Sequence, residues 1–121
     1  MKLLNRSSFT LLAKAPFAQW VASLEGKISA EEGYECLSLA QLREAGTVYL
    51  VTEVAQESDF EQQLDSHWQQ MLNNELAAWD EFGDYWPQLS RSQFSEWFEV
   101  QCNLMTFDLS VEPMMTASLE G

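Results

Sequence analysis

The chain has 121 residues and a formal net charge of −13 at pH 7, and 46% of its residues are apolar. This length fits one domain, and the apolar content predicts a folded core, since disorder requires low hydrophobicity together with high charge. The negative charge excludes nucleic acid and anionic membranes as favoured partners. No apolar run approaches the roughly 18 residues that span a membrane, so we predict a soluble cytoplasmic protein.

The negative charge lies almost entirely in the second part of the chain. Residues 44–121 contain fifteen acidic side chains and a single basic one, Arg91. Residues 1–43 contain five basic and four acidic side chains, which nearly balance. Because such a field attracts positive charge, we expect any partner protein to be basic and to bind the second part of the chain.

The first predicted element is a short β-prone run over residues 7–12, which we expect at the edge of a sheet. Pro16 suits the first turn of a helix, and large apolar residues follow it at helical spacing. Residues 27–37 are predicted to form a polar loop. Ser38 is then expected to cap a short helix.

Residues 47–54 give the clearest strand pattern. Their side chains alternate between two faces that are both partly apolar, which predicts a central strand covered on both sides. Ser58 and Glu61 predict a capping box, and large apolar residues then recur every three or four positions. This spacing predicts a long amphipathic helix over residues 59–79.

A second capping box, which starts at Ser90, predicts a helix near residues 91–98. Residues 100–109 then alternate as a strand, with a break in phase at positions 104 and 105 that indicates a bulge or a helix-to-strand transition. Residues 110–121 are expected to be a flexible tail. Together the elements predict a single α+β domain with a small, mostly antiparallel sheet packed by amphipathic helices, and a mixed sheet is the main alternative.

The strongest candidate for a binding surface is the acidic, aromatic loop predicted over residues 80–89. Aromatic anchors surrounded by charge are typical of interface hot spots, and tryptophan faces attract arginine and lysine. The candidate binding residues are Asp80, Glu81, Asp84, Tyr85 and Trp86. The alternative is that the aromatic rings of residues 79–86 fill the core where two helices meet.

Signals for catalysis and for metal binding are weak. His67, the only histidine, has no second metal ligand at a useful helical spacing, and the acidic loop lacks the ligand spacing of a calcium loop. Cys36 and Cys102 form no metal-binding motif in sequence, and we predict two reduced thiols. We therefore predict no metal and no cofactor.

Residues 74–109 resemble a group of short bacterial proteins to which we attach no activity. The resemblance rests on Glu75-Leu76 with Trp79, on Trp86-Pro87, on Phe94 with Trp97-Phe98 and on Phe107-Asp108-Leu109, and the upstream run at 46–50 is also similar. It implies an α+β domain of bacterial cytoplasmic origin. It transfers no functional residue to this chain.

These features favour a non-catalytic protein-binding module for a basic partner. One alternative is a self-associating structural or accessory domain, a homo-oligomer, which the many aromatic residues favour. A second alternative is a small enzyme that uses a carboxylate pair or a single thiol, which requires a pocket containing a group of shifted pKa. A further alternative is that the charge serves only solubility.

Overall fold

In the computed structural model, residues 1–24, 27 and 37–119 are described. Within them, five strands and four α-helices form a single α+β domain, which confirms the predicted fold class. The strands are β1 (Lys2–Leu4), β2 (Arg6–Ala13), β3 (Thr47–Thr52), β4 (Phe98–Asn103) and β5 (Thr106–Asp108). The helices are α1 (Ala15–Ser23), α2 (Leu39–Glu44), α3 (Phe60–Ala77) and α4 (Arg91–Trp97). Most of the loop predicted over residues 27–37, including Cys36, lies outside the described residues.

The strands pair antiparallel wherever the structure describes them, in two small sheets. β2 lies in the middle of a three-stranded sheet, between β3 and β4. The prediction of an edge strand at residues 7–12 and a central strand at residues 47–54 is therefore wrong, because the two strands exchange these places. Whether a strand is central depends on which strands pair with it, as in the pairing of Phe9 with Cys102. These residues are far apart in sequence, so the alternation of apolar and polar residues within one strand does not reveal the pairing.

β3 has one covered face and one open face. Val51 points toward the helices and is 7% exposed, whereas Val48 and Leu50 point the other way and are 59% and 46% exposed. Val48 and Leu50 are apolar although their face is open, so the sequence of β3 has apolar residues on both faces. A strand that is covered on both sides has the same sequence pattern. The prediction of cover on both faces of this strand is wrong for that reason.

β1 and β5 extend the β2–β4 pair across an irregular junction, where residues 5–7 face residues 104–105. One strand thus has an extra residue, as in a bulge, and the predicted break in phase at this point is confirmed. Ser7 is buried in the junction. Its hydroxyl donates to the Leu104 carbonyl at 3.0 Å and accepts the Val54 N–H at 2.8 Å.

The core lies between the inner face of the three-stranded sheet and the helices. Aromatic ring contacts run through its centre, from Phe9 to Phe60 at 5.6 Å, from Phe17 to Phe98 at 4.8 Å and from Phe94 to Phe98 at 5.5 Å. Phe9 and Phe94 have no exposed surface. Since a buried aromatic side chain removes a large apolar area from water, these rings supply much of the hydrophobic stabilisation.

The helix boundaries follow the predicted caps with one exception. Ser38 and Ser90 both form capping boxes, in which the serine side chain accepts the N–H of the residue three positions later. The bounds of α3 lie within two residues of the prediction. Its predicted capping box at Ser58 is wrong, because a 3-10 turn occupies Glu57–Asp59 and the N-cap makes no side-chain cap bond. None of the described helices is long and apolar enough to cross a membrane.

Candidate functional site

Residues 80–87, which we call the aromatic loop, are held together by Asp80. Its side chain is buried, with 3% exposure, and its carboxylate accepts the Tyr85 N–H at 2.7 Å. Its carbonyl accepts the indole N–H of Trp86 at 2.8 Å, and its own N–H bonds to the Leu76 carbonyl at the end of α3. The buried Asp80 carboxylate therefore holds the backbone of the loop in place.

The backbone reverses at Gly83, where φ is +76°. L side chains rarely adopt this region of φ, so glycine is the residue that suits the turn. The Gly83 N–H donates to the Asp80 carbonyl at 3.2 Å, and the Trp86 ring lies 3.6 Å from the position that a Cβ would take. The turn thus brings Trp86 back beneath the loop.

The four aromatic rings of residues 79–86 divide between the core and the surface. Trp79 and Trp86 are half-buried and pack against the hydrophobic core. Phe82 is 83% exposed and Tyr85 is 43% exposed. Of the two alternatives for these rings, core packing therefore describes the tryptophans, and a surface position describes Phe82 and Tyr85.

The exposed rings lie among charged groups. Glu81 and Asp84 are both exposed, and Lys27 places its Nζ 5.4 Å from the centre of the Tyr85 ring, a cation–π arrangement. The Tyr85 carbonyl accepts the indole N–H of Trp20 at 3.1 Å, which ties the loop to α1. Lys27, Glu81, Phe82, Asp84 and Tyr85 line an open depression of about 740 Å³, which combines aromatic surface with carboxylates.

A second concave surface lies between the edge of β3 and α3, and we call it the strand groove. Its volume is about 720 Å³, and four consecutive β3 residues (49–52) form one wall. The side chains of α3, among them Gln70 and Met71, form the other wall, and Arg6, Trp86 and Leu119 complete it. No acidic residue belongs to its described lining, although the chain contains nineteen of them.

Tyr49, which lines the strand groove, forms a polar cluster with α3. Its hydroxyl donates to the Glu75 carboxylate and accepts the Asn74 amide at 2.9 Å, and the Thr47 hydroxyl lies 3.3 Å from Glu75 Oε1. Burial raises the pKa of Glu75, and the hydrogen bonds from Tyr49 and Thr47 oppose this shift. Burial, followed by the hydrogen bond to Glu75, raises the pKa of Tyr49, so the phenol stays protonated and remains a donor.

Neither this cluster nor the groove beside it was predicted from the sequence. The sequence did contain one signal for Glu75, because this residue lies beside Leu76 in the predicted apolar stripe of α3. A carboxylate that is buried with such a stripe needs a hydrogen-bonding partner. No comparable signal pointed to Tyr49 as that partner, because the pairing depends on how α3 lies over β3.

The strand groove contains a group of shifted pKa, Tyr49, as the enzyme alternative requires, whereas the carboxylate pair and the reactive thiol that this alternative names gain no support. The described hydrogen bonds to the Glu75 carboxylate come from the hydroxyl groups of Tyr49 and Thr47. Partial burial, with Glu61 and Glu57 nearby, raises the pKa of the Cys102 thiol, whereas nucleophilic thiols have a lowered pKa. Among the described residues, no group of three or more histidine, cysteine or acidic side chains is placed to hold a metal ion.

Comparisons with protein-family models, with curated proteins and with solved structures give no match to this chain. Its function therefore has to be inferred from the geometry of the aromatic loop and of the strand groove. The two surfaces differ in charge: carboxylates line the depression at the aromatic loop, and none belongs to the described lining of the strand groove.

Proposed function

We propose that this chain is a non-catalytic binding module that engages a basic partner protein through the exposed side of the aromatic loop. The observation that carries this proposal is the 83% exposure of Phe82 on a loop whose backbone Asp80 holds in place. An exposed apolar ring gains free energy when a partner covers it. A loop that is already ordered loses little conformational entropy on binding.

The carboxylates beside the ring support a basic partner. Glu81 and Asp84 are exposed on the same loop, and the surrounding second part of the chain carries almost no positive charge. Within the chain, Lys27 already lies over the Tyr85 ring, and a partner lysine or arginine can make the same contact with Phe82. The overall field accelerates the encounter with a positively charged protein.

The experiment is an affinity capture from a lysate of the source organism with three forms of the full chain. The first is the wild type, and the second is a loop variant with the changes Glu81→Gln, Phe82→Ser and Asp84→Asn. The third is a control with the changes Glu53→Gln, Glu57→Gln and Leu109→Ser, which removes the same charge and one exposed apolar side chain elsewhere. Asp80 is left unchanged, because its substitution disturbs the loop itself.

We expect one basic protein to bind to the wild type and to the control, and to be released by moderate salt, since screening weakens attraction between exposed charges. The loop variant is expected to lose more than about tenfold in affinity, the loss typical of removing a hot-spot residue. The proposal is wrong if the loop variant retains the same proteins as the wild type, or if the control loses them equally.

A further inference from the structure

The three-stranded sheet ends in two edge strands, β3 and β4. Among the described residues each of them pairs only with β2. An unpaired edge presents a row of N–H and C=O groups that can pair with a strand of another molecule, and natural edge strands are commonly protected by charged residues, proline or bulges. The two edges of this sheet differ in that protection.

The edge at β4 is protected by carboxylates. β4 itself contains Glu99, whose side chain pairs with Arg43. Glu57 and Glu61 line the depression at the end of the same strand. A second negatively charged molecule is therefore repelled from this edge.

The edge at β3 lacks such protection. The strand Thr47–Thr52 has the sequence TVYLVT, without charge or proline, and it pairs with β2 in unbroken register. Its residues 49–52 line the strand groove. The described lining of this groove contains no carboxylate, and Arg6 is its one lysine or arginine.

α3 continues the surface without carboxylates beyond the strand edge. The residues of α3 that line the groove recur at spacings of three and four, so they share one side of the helix. They are His67, Gln70, Met71, Asn73, Asn74 and Ala77. Leu119 also touches the groove, but it is itself 90% exposed and so covers little of this surface.

Charge and symmetry together indicate a second copy of this chain as the occupant. Two copies, each with a net charge of −13, repel one another wherever carboxylates face each other, and the β3 edge with the groove side of α3 avoids that opposition. A strand edge is also complementary to itself, because two copies related by a two-fold axis pair antiparallel with donors facing acceptors.

We propose that two copies associate through β3, antiparallel across a two-fold axis, so that their sheets join into one sheet of six strands with both α3 helices beside the junction. This proposal does not rest on the proposed function, because it uses a different surface. It gives the self-associating alternative a defined interface.

The exposed apolar side chains of β3 fit this pairing. Val48 and Leu50 are 59% and 46% exposed on the same face of the strand. Residues opposite one another in an antiparallel pair share a face, so an axis at Tyr49 places Val48 of one copy opposite Leu50 of the other. The pairing then covers apolar surface that a single chain leaves open to water.

The ends of β3 determine how the association responds to salt. Glu44 and Glu53 are exposed just outside the two ends of the strand, so they lie at the rim of the interface. Their repulsion, and that between the net charges of the two copies, is screened by salt. Salt should therefore strengthen this association, whereas it weakens the binding of a basic protein to the aromatic loop.

Sedimentation velocity of the full chain tests the proposal, at concentrations from about 1 μM to about 1 mM. We expect the mass of one chain to rise to that of two, at lower concentration in about 0.5 M salt than in about 0.05 M. Leu50→Glu places a carboxylate at the interface and should weaken the dimer more than about tenfold. Leu109→Glu, at a position that is 77% exposed outside it, should change the dissociation constant less than about twofold.

A matched pair on α3 provides a second test that does not alter the strand. Gln70→Glu adds a carboxylate to the groove lining, and Gln62→Glu adds one to the same helix outside the lining. Both positions are exposed, so both variants should fold. Gln70→Glu should weaken the dimer by about threefold or more through repulsion across the axis, and Gln62→Glu should not.

Hydrogen exchange locates the contact. In the wild type the amides of residues 49–52 should exchange about tenfold more slowly at the concentration where the dimer forms than at the lowest concentration. Those of residues 80–87 should be unaffected. In Leu50→Glu the exchange at residues 49–52 should not depend on concentration.

Three results would overturn the proposal. One is the mass of a single chain at every concentration and salt, including the case in which residues 49–52 become protected only by a different protein. Another is a dimer that neither Leu50→Glu nor Gln70→Glu weakens. The third is a dimer that is lost in the loop variant at positions 81, 82 and 84 and retained in Leu50→Glu, which would place the self-contact at the aromatic loop.

Discussion

The aromatic loop and the strand groove are open surfaces of similar volume, and they differ in almost every other respect. The loop presents exposed carboxylates and the ring of Phe82 on a backbone held by side-chain hydrogen bonds. The groove presents a strand edge, and no carboxylate occurs in its described lining. The net charge of the chain therefore indicates the kind of partner that suits the loop and says nothing about the groove.

Trp86 connects the two regions. Its indole N–H bonds to the Asp80 carbonyl in the loop, and its ring lines the strand groove. A change that releases this ring from the loop therefore also alters a wall of the groove. Substitutions at Asp80 and Gly83 test how strongly the loop is held in place, and a substitution at Glu75 tests the polar cluster beside the groove.

The largest effect is expected from Asp80→Ala. The change removes the buried carboxylate that accepts the Tyr85 N–H, and a hydrogen bond to a charged group contributes about 1.5–3 kcal/mol. Urea denaturation, followed by tryptophan fluorescence, measures the free energy of unfolding. Asp80→Asn retains an acceptor oxygen and should lose less, and Asp84→Ala, at an exposed position, should stay within about 0.5 kcal/mol of the wild type. Equal effects at positions 80 and 84 would contradict the anchoring role of Asp80.

A smaller effect is expected from Gly83→Ala. The new methyl group meets the Trp86 ring at an ordinary contact distance of 3.6 Å, so no clash adds to the cost. The backbone strain at φ +76° alone should cost about 1–2 kcal/mol. Thermal denaturation measures this loss, and Ser110→Ala in the tail is the control. A variant as stable as the wild type would show that the turn does not require glycine.

The smallest effect concerns the polar cluster beside the groove. The folded-state pKa of Glu75 is raised by burial, so the folded state binds its proton more tightly than the unfolded state does. The stabilising contribution is complete below the unfolded pKa, near 4.5, and is lost as the pH rises through the folded pKa. Glu75→Gln should therefore give a flatter dependence of the free energy of unfolding on pH above 4.5 than the wild type.

All nineteen acidic side chains contribute to the pH dependence of stability, so the effect of Glu75 needs a matched control. Glu53→Gln removes the same charge at an exposed position and should leave the slope near that of the wild type. If the two variants show the same slope, the raised pKa of Glu75 does not contribute to the pH dependence of the free energy of unfolding.

The sequence predicted the elements better than their arrangement. The serine caps of α2 and α4 and the apolar stripe of α3 are local features, and the structure confirms them. The positions of β2 and β3 within the sheet were predicted wrongly, because pairing between strands depends on residues such as Phe9 and Cys102 that are distant in sequence. β1 is too short to give an alternation pattern, and no strand was predicted there.

The same distinction applies to the candidate site. The composition of residues 80–89 predicted an acidic, aromatic loop and left open whether its rings lie in the core or at the surface. In the structure Phe82, Glu81 and Asp84 are exposed. The burial of Asp80 was not predictable from composition, since it depends on the turn at Gly83 and on hydrogen bonds within the loop. The strand groove involves β3, α3 and the tail together, and no single segment of sequence contains its signal.

The most direct test of the proposed function is a hydrogen-exchange footprint on the full chain with the basic protein retained in the capture experiment. The amides of residues 80–87 should exchange more slowly in the complex, and those of residues 49–52 should be unchanged, because the partner covers the loop and not the groove. Slower exchange at residues 49–52 with an unchanged loop would contradict the account, since the partner would then bind the strand edge.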